Sequence, residues 1–425
     1  MTLIDLGELR DGPDGEAPLP RSPRAVGRPL RVALVLALLV ATLAGAAPTP
    51  ERVSVVVPAR VGSEAFLDGG RFYVVEPAEG EPGGTVEVRA YALPARTPAD
   101  GRAPAPLWRA RLLAPGRFWQ VQTGPGVVLF SVTGDQSLGQ TIALDPATGR
   151  ERWRQAGYHW ADVAGTLLMQ DAAALRSVDP ASGRALWSVP TPPEGVRFGV
   201  RDGLVERFVL VTADGRAEVR DPRSGDLLHA ADLRLDGQPS FGQPTVIDDL
   251  LLVARAGVVT AYGLDGLRPR WAARVPLVEH VVDCGELLCA AGQTGGFRAL
   301  DPTTGALRWT AEGWLGVLSG RDGRLLALAP GSTGERFSVL DAATGRQVAD
   351  LGTWQLMPWQ DGGRLLAVRP AASGGGLVVG ELDVVAGRSR VVDLLRDASG
   401  DCRGGTEAVL CRLRTGEYGV WRFEG

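Results

Sequence analysis

The chain has 425 residues, of which 45% are hydrophobic and only 6% aromatic, enough to bury a large core. Its formal net charge is −4 with no basic stripe, which argues against nucleic-acid binding. All 45 basic residues are Arg, Asn is absent and Ile occurs three times, a bias that fits a GC-rich, bacterial genome and leaves no Lys for a Schiff base, a P-loop or a Ser-Lys dyad.

Residues 1–31 are rich in Pro, Gly, Arg and acids and are expected to form a disordered tail. Residues 32–47, VALVLALLVATLAGAA, carry no charge. Arg21, Arg24, Arg28 and Arg31 precede this run, so the tail is expected in the cytoplasm and the remainder of the chain outside. An uncleaved transmembrane signal anchor is the preferred reading, and a cleaved signal peptide ending near Ala44 and Ala46 is the alternative. No Cys follows the run as a lipid attachment site.

Beyond residue 52 the chain repeats itself. The phrase ALDPATGRERW at 143–153 returns as SVDPASGRALW at 177–187 and ALDPTTGALRW at 299–309. Looser copies place the Asp and Gly of the phrase at Asp221 and Gly225, Asp341 and Gly345, and Asp383 and Gly387, beside Asp145 and Gly149, Asp179 and Gly183, and Asp301 and Gly305 in the stricter ones. The copy at 261–271 has a shortened turn and that at 90–108 a lengthened one. Asp accepts hydrogen bonds from amides two and three residues on, the following Pro presets φ, and Gly supplies the left-handed residue that closes the turn, so each phrase reads as a β-hairpin. Another hairpin precedes each copy, as in LDGGRFYVV, IDDLLLVARAG and RDGRLLALAP. Four short strands in roughly forty residues, repeated without an intervening helical period, predict a β-propeller.

Trp153, Trp187 and Trp309 stand four residues after the turn Gly, and Trp108 and Trp271 occupy the same strand in the irregular copies. This pattern resembles the pyrroloquinoline-quinone-type (PQQ-like) β-propeller repeat family, over roughly residues 52–425. The resemblance implies an all-β propeller of four-stranded blades in which these five Trp dock between blades. The copies at 339 and 381 depart from it, with Ala349 and Val391 in the Trp slot and Trp354 and Trp359 nearby. Eight blades are favoured, with seven or nine as alternatives. The lone strand at 52–59 is expected to complete the last blade.

Cys284 and Cys289, and Cys402 and Cys411, each bracket turn-like residues, so two local disulfides are expected in an exported domain; buried free thiols are the alternative. His159, His229 and His280 share no metal-ligand spacing and are expected to be structural, His229 filling a Trp slot. The repeated Asp residues are explained by turn geometry. Quinone enzymes of the family carry adjacent cysteines, and no Cys-Cys dipeptide exists in this chain, so no cofactor is expected. No catalytic motif is found.

The resulting expectation is a monomeric, membrane-tethered, extracytoplasmic propeller that acts as a non-catalytic scaffold for a protein or envelope component. Similar propellers serve bacterial envelope assembly, among them an outer-membrane assembly lipoprotein. A quinone- and calcium-dependent oxidoreductase is the first alternative, and a sensor signalling through the N-terminal tail the second.

Overall fold

The computed structural model describes residues 53–423, apart from short stretches at 79–83, 135–138, 193–194, 234–243, 330–334 and 359–363 and the single positions 99, 104, 202, 213, 294 and 373. The tail and the apolar run at 32–47 therefore lie outside the described residues, as does Trp359. Among the described residues there is no helix, and hence none long and apolar enough to cross a membrane.

Short strands alternate with tight turns throughout, and every strand pair but one isolated bridge is antiparallel. Seven of the described sheets have four strands, and one has seven. The seven-stranded sheet holds two repeats that share the long strand Gln347–Leu356: residues from Gln347 to Trp354 pair with Glu335–Asp341, and the last two, Gln355 and Leu356, with Leu366–Pro370. The first strands of several successive repeats lie side by side. Glu64–Asp68 lies beside Arg117–Gly124, and Thr245–Ile247 beside both Val196–Arg201 and Val278–Asp283. The N-terminal strand Val53–Val57 pairs antiparallel with Tyr418–Arg422, with Val55 opposite Val420. The lengthened turn of the first copy covers its other edge. Val56 N–H donates to Gly101 C=O at 2.8 Å, and Ala103 N–H donates to Val56 C=O at 2.9 Å.

The repeated phrase folds as its residues dictate. In the copy at 143–153, Asp145 Oδ1 accepts from the N–H groups of Ala147 and Thr148 at 3.0 and 2.9 Å and from the Thr148 hydroxyl at 3.0 Å. Gly149 N–H returns to the Asp145 C=O at 2.9 Å, with φ at 72°. Asp301 and Gly305 reproduce the arrangement, with Thr303 and Thr304 as donors. Ser182 replaces the Thr at Asp179, and Asp221 and Asp341 keep the amide bonds. At Asp383 the donor is Ala386 N–H, 2.9 Å away.

Five of these six turns, all but the one at Asp383, are also the seat of a tryptophan from the preceding repeat. The indole N–H of Trp108 donates to Pro146 C=O at 3.0 Å, that of Trp153 to Pro180 C=O at 2.8 Å, and that of Trp187 to Arg223 C=O at 2.9 Å. Trp271 reaches Pro302 C=O at 2.7 Å and Trp309 reaches Ala342 C=O at 2.9 Å. The rings lie flat over the turn glycines: a Cβ on Gly183 would sit 2.6 Å from the Trp153 ring, and one on Gly225 2.9 Å from Trp187. The turn glycine therefore meets two demands at once, a left-handed backbone and room for an indole. Where the slot lacks Trp, the contact changes. His229 stands exposed in its slot and does not take the buried packing place expected of it. Ala349 lies 3.2 Å from a Cβ built on Gly387, and the buried Trp354 packs over Gly380 instead, its indole N–H donating to Leu351 C=O at 2.7 Å.

Two predictions follow from the turns. Gly183→Ala meets both the left-handed backbone and the Trp153 ring, whereas Gly323→Ala meets the same backbone, φ 70°, with nothing within 4 Å. The left-handed conformation costs an L-residue about 1–2 kcal/mol, and overpacking adds about 1–3 kcal/mol. Denaturant midpoints should thus place Gly183→Ala well below Gly323→Ala, and equal losses would remove the ring from the explanation.

The second concerns acid. Hydrogen bonds from Arg152 and Thr148 hold the Asp145 carboxyl down to about 2, from an ordinary 3.8, and those from Arg308 and Thr304 do the same for Asp301. These carboxylates have a lower pKa folded than unfolded, so their contribution to stability is complete above about 3.8 and is lost as the pH falls through about 2. In carboxyl-resolved NMR titrations, Arg152→Ala should raise the Asp145 midpoint while leaving Asp301 in place; an unmoved Asp145 contradicts the assignment.

Candidate functional site

The turns and their tryptophans lie between the third and fourth strands of the repeats and hold neighbouring sheets together. A different edge carries exposed aromatic surface. Strand Arg117–Gly124 pairs with Val127–Thr133 through Phe118 opposite Val132 and Gln120 opposite Ser131, which leaves Trp119 out of the ladder. Strand Tyr158–Val163 does the same, with His159 opposite Met169, Ala161 opposite Leu168, and Trp160 unpaired. A bulge of this kind re-aims the extra side chain and sharpens the local twist. The bulge recurs in first strands elsewhere, with Glu279, Leu318 and Ser399 as the extra residues. Trp119 and Trp160 are 40% and 56% exposed, against 8% for Trp153.

These side chains form an aromatic row of two ring pairs across the first strands of three successive repeats. Trp119 meets the edge of Tyr158 with ring centroids 5.3 Å apart, and Trp160 lies 5.7 Å from Phe198 on strand Val196–Arg201. Gly139 makes room for the Tyr158 ring, which a Cβ there would strike. A groove of about 430 Å³ runs beside the row, lined by Tyr158, Trp160, Gly139, Gly157 and the turn Asp171–Ala173. Below the row, the buried His159 ties two first strands together. Its Nδ1 lies 2.6 Å from Gln122 Oε1 and its Nε2 2.9 Å from Asp162 Oδ1. His229 and His280 are exposed on separate strands.

The cysteines pair as Cys284–Cys289 and Cys402–Cys411. Cys289 and Cys411 lie in the second strand of their repeats and Cys402 in the first, while Cys284 directly follows a first strand. Both disulfides thus fasten the first hairpin of a repeat. The repeated Asp residues remain on separate turns, each with its own amide donors. Among the described residues no group of three or more His, Cys, Asp or Glu side chains comes together in a metal-holding arrangement.

Sequence reasoning passed over Trp119 and gave Trp160 no role. The signal was present in GRFW at 116–119 and GYHW at 157–160, where Trp follows Gly by three residues and breaks strand alternation beside Phe118 or His159. Phe198, in GVRF at 195–198, repeats the spacing.

Three solved structures align with this chain at low identity. BamB from Moraxella catarrhalis aligns with a TM-score of 0.43 and 14% identity, covering 87% of this chain and all of that one. The computationally designed Ika8 protein gives 0.48 and 15%, covering 72% of this chain and 96% of that one. The C-terminal WD40 domain of Sif2 gives 0.41 and 12%, covering 73% and 97%. No curated protein matches the sequence. The family model described as outer membrane protein assembly factor BamB matches residues 95–310, just over half of the chain. The turn-and-tryptophan repeat and this match together identify the chain as a member of that family of PQQ-like β-propeller repeat proteins.

Proposed function

We propose that the chain is a membrane-tethered, extracytoplasmic β-propeller that acts as a non-catalytic scaffold and receives a protein partner on the aromatic row of its first strands. The row carries this reading. The exposed Trp119 and Trp160 and the half-buried Tyr158, fixed in place by neighbours and flanked by a groove, are of the residue types that dominate protein–protein contact energies. The family's description as an assembly factor supports binding in the service of envelope assembly.

In this reading the described sheets form one ring. The pairing of Val53–Val57 with Tyr418–Arg422 supports closure by the two ends of the chain. Counting the seven-stranded sheet as two blades supports nine, one of the alternatives to the eight favoured from sequence. The two disulfides support an oxidising compartment, and the uncharged run at 32–47 behind four Arg supports a single-pass anchor with the tail in the cytoplasm. The ring is proposed to be monomeric.

Two experiments test the proposal. A photo-crosslinking residue at position 160 of the full chain in its host should give a discrete adduct that Trp119→Ala weakens at least tenfold, with the unfolding midpoint unchanged. The same yield from Val391, exposed in a fourth strand, would contradict a specific face. Pyrroloquinoline quinone with calcium should leave the midpoint where it is. A cofactor at about 100 times its Kd would add about 2.7 kcal/mol to stability, and that rise would replace the scaffold with an oxidoreductase.

A further inference from the structure

A second site lies apart from the aromatic row, where the first strands of the first, second and last repeats meet the long strand Gln347–Leu356. A cavity of about 440 Å³ opens there. Its wall brings together three guanidiniums, Arg117, Arg403 and Arg412, and two carboxylates, Glu64 and Asp401. Two of the Arg are already engaged. Arg117 Nε lies 2.9 Å from Glu64 Oε1. Arg412 Nε lies 3.3 Å from Asp401 Oδ2, and other guanidinium N–H groups of Arg412 donate to Gly416 C=O at 3.0 Å and to the Tyr418 hydroxyl at 2.5 Å. The Arg403 guanidinium has no hydrogen bond or ion pair with any described residue. It stacks 4.4 Å over the Phe66 ring, and burial presses its pKa below the ordinary guanidinium range.

The backbone holds this arginine in place. Gly400 pairs with Arg412 and Arg403 with Leu410, so Asp401 and Cys402 fall in a bulge between them. Cys402 is tied to Cys411 on the neighbouring strand, which fixes the bulge and with it the direction of Arg403. A stacked guanidinium keeps its planar fork of donors free at its edge, a geometry that matches an oxyanion in two parallel hydrogen bonds. Three positive groups against two negative ones leave a single surplus charge. That balance fits a monoanion, and Glu64 and Asp401 disfavour a phosphate dianion. Met357, Leu356 and Val368 supply apolar wall beside the charge.

We infer that this cavity is a carboxylate-binding site in which Arg403 clasps a single carboxylate whose apolar body rests on the Met357 side. The carboxylate can belong to a small organic acid or to the end of a peptide chain. The site is independent of the scaffold reading, because no residue of the aromatic row lines it.

The test is calorimetric titration of the full chain in detergent with phenylacetate, its neutral amide, inorganic phosphate, and a tetrapeptide ending in Phe with a free or amidated C-terminus. Phenylacetate should bind saturably, and at least tenfold more tightly than phenylacetamide or phosphate. The free peptide binding more tightly than phenylacetate assigns the site to chain ends, and the reverse order to small acids. Arg403→Gln should weaken binding at least tenfold with the unfolding midpoint preserved. Arg403→Lys, which keeps the charge and loses the fork, should fall between. Equal binding of acid and amide, tighter binding of phosphate, no saturable binding at all, or a well-folded Arg403→Gln that binds as the parent does would each overturn the inference. If Arg403→Gln does not fold, the Arg403→Lys result decides by the same criterion.

Discussion

The architecture depends on one contact: an indole from one repeat laid over the hairpin turn of the next. The ring buries apolar area against the turn glycine, and its N–H satisfies a carbonyl of that turn. Both halves are needed. A buried large aromatic supplies hydrophobic stabilisation of several kcal/mol, and the hydrogen bond fixes which turn it seats on. Because each turn is locked internally by its Asp carboxylate, the seat exists before the neighbour arrives. The sheets therefore gain their mutual orientation from elements that are themselves stiff, and a four-stranded repeat that could not bury its faces alone is stable in series.

This division leaves the first strands free to be irregular. They belong to the same sheets, yet they bulge and release Trp119, Trp160, Glu279, Leu318 and Ser399 from the ladder. Irregular strands with exposed aromatic or charged side chains would be a liability in a sheet that relied on them for cohesion. Here the opposite edge adds the seated indoles, the disulfides fasten two first hairpins, and the alternate first-strand residues such as Phe66, Phe118 and Val121 stay packed in the core.

Much of the frame was legible in the sequence because it is local. The Asp and the Gly of each phrase lie within five residues and close the turn locally, and in the strict copies the Trp follows within nine, at a spacing whose recurrence marks it even though its partner is the turn of the next repeat. The pairing of the cysteines was legible for the same reason. The sites were less so. Trp119 and Trp160 read as ordinary strand residues until the register shows them to be the extra residues of bulges, and register is a property of two strands, not one. The cavity is further still from the sequence. Glu64, Arg117, Leu356 and Arg403 are separated by most of the chain, and no local pattern in the sequence brings them to one wall.

The most direct test is hydrogen exchange at the tryptophan indoles, followed by NMR on the full chain. The account predicts slow exchange for Trp108, Trp153, Trp187, Trp271 and Trp309, whose N–H groups are held by the turns, and fast exchange for Trp119 and Trp160, which sit 40% and 56% exposed on the bulges with no hydrogen bond to the indole N–H among the described residues. Fast exchange in the first set, or protection of Trp119 and Trp160 equal to theirs, would contradict the separation of a locked frame from an open, bulged edge.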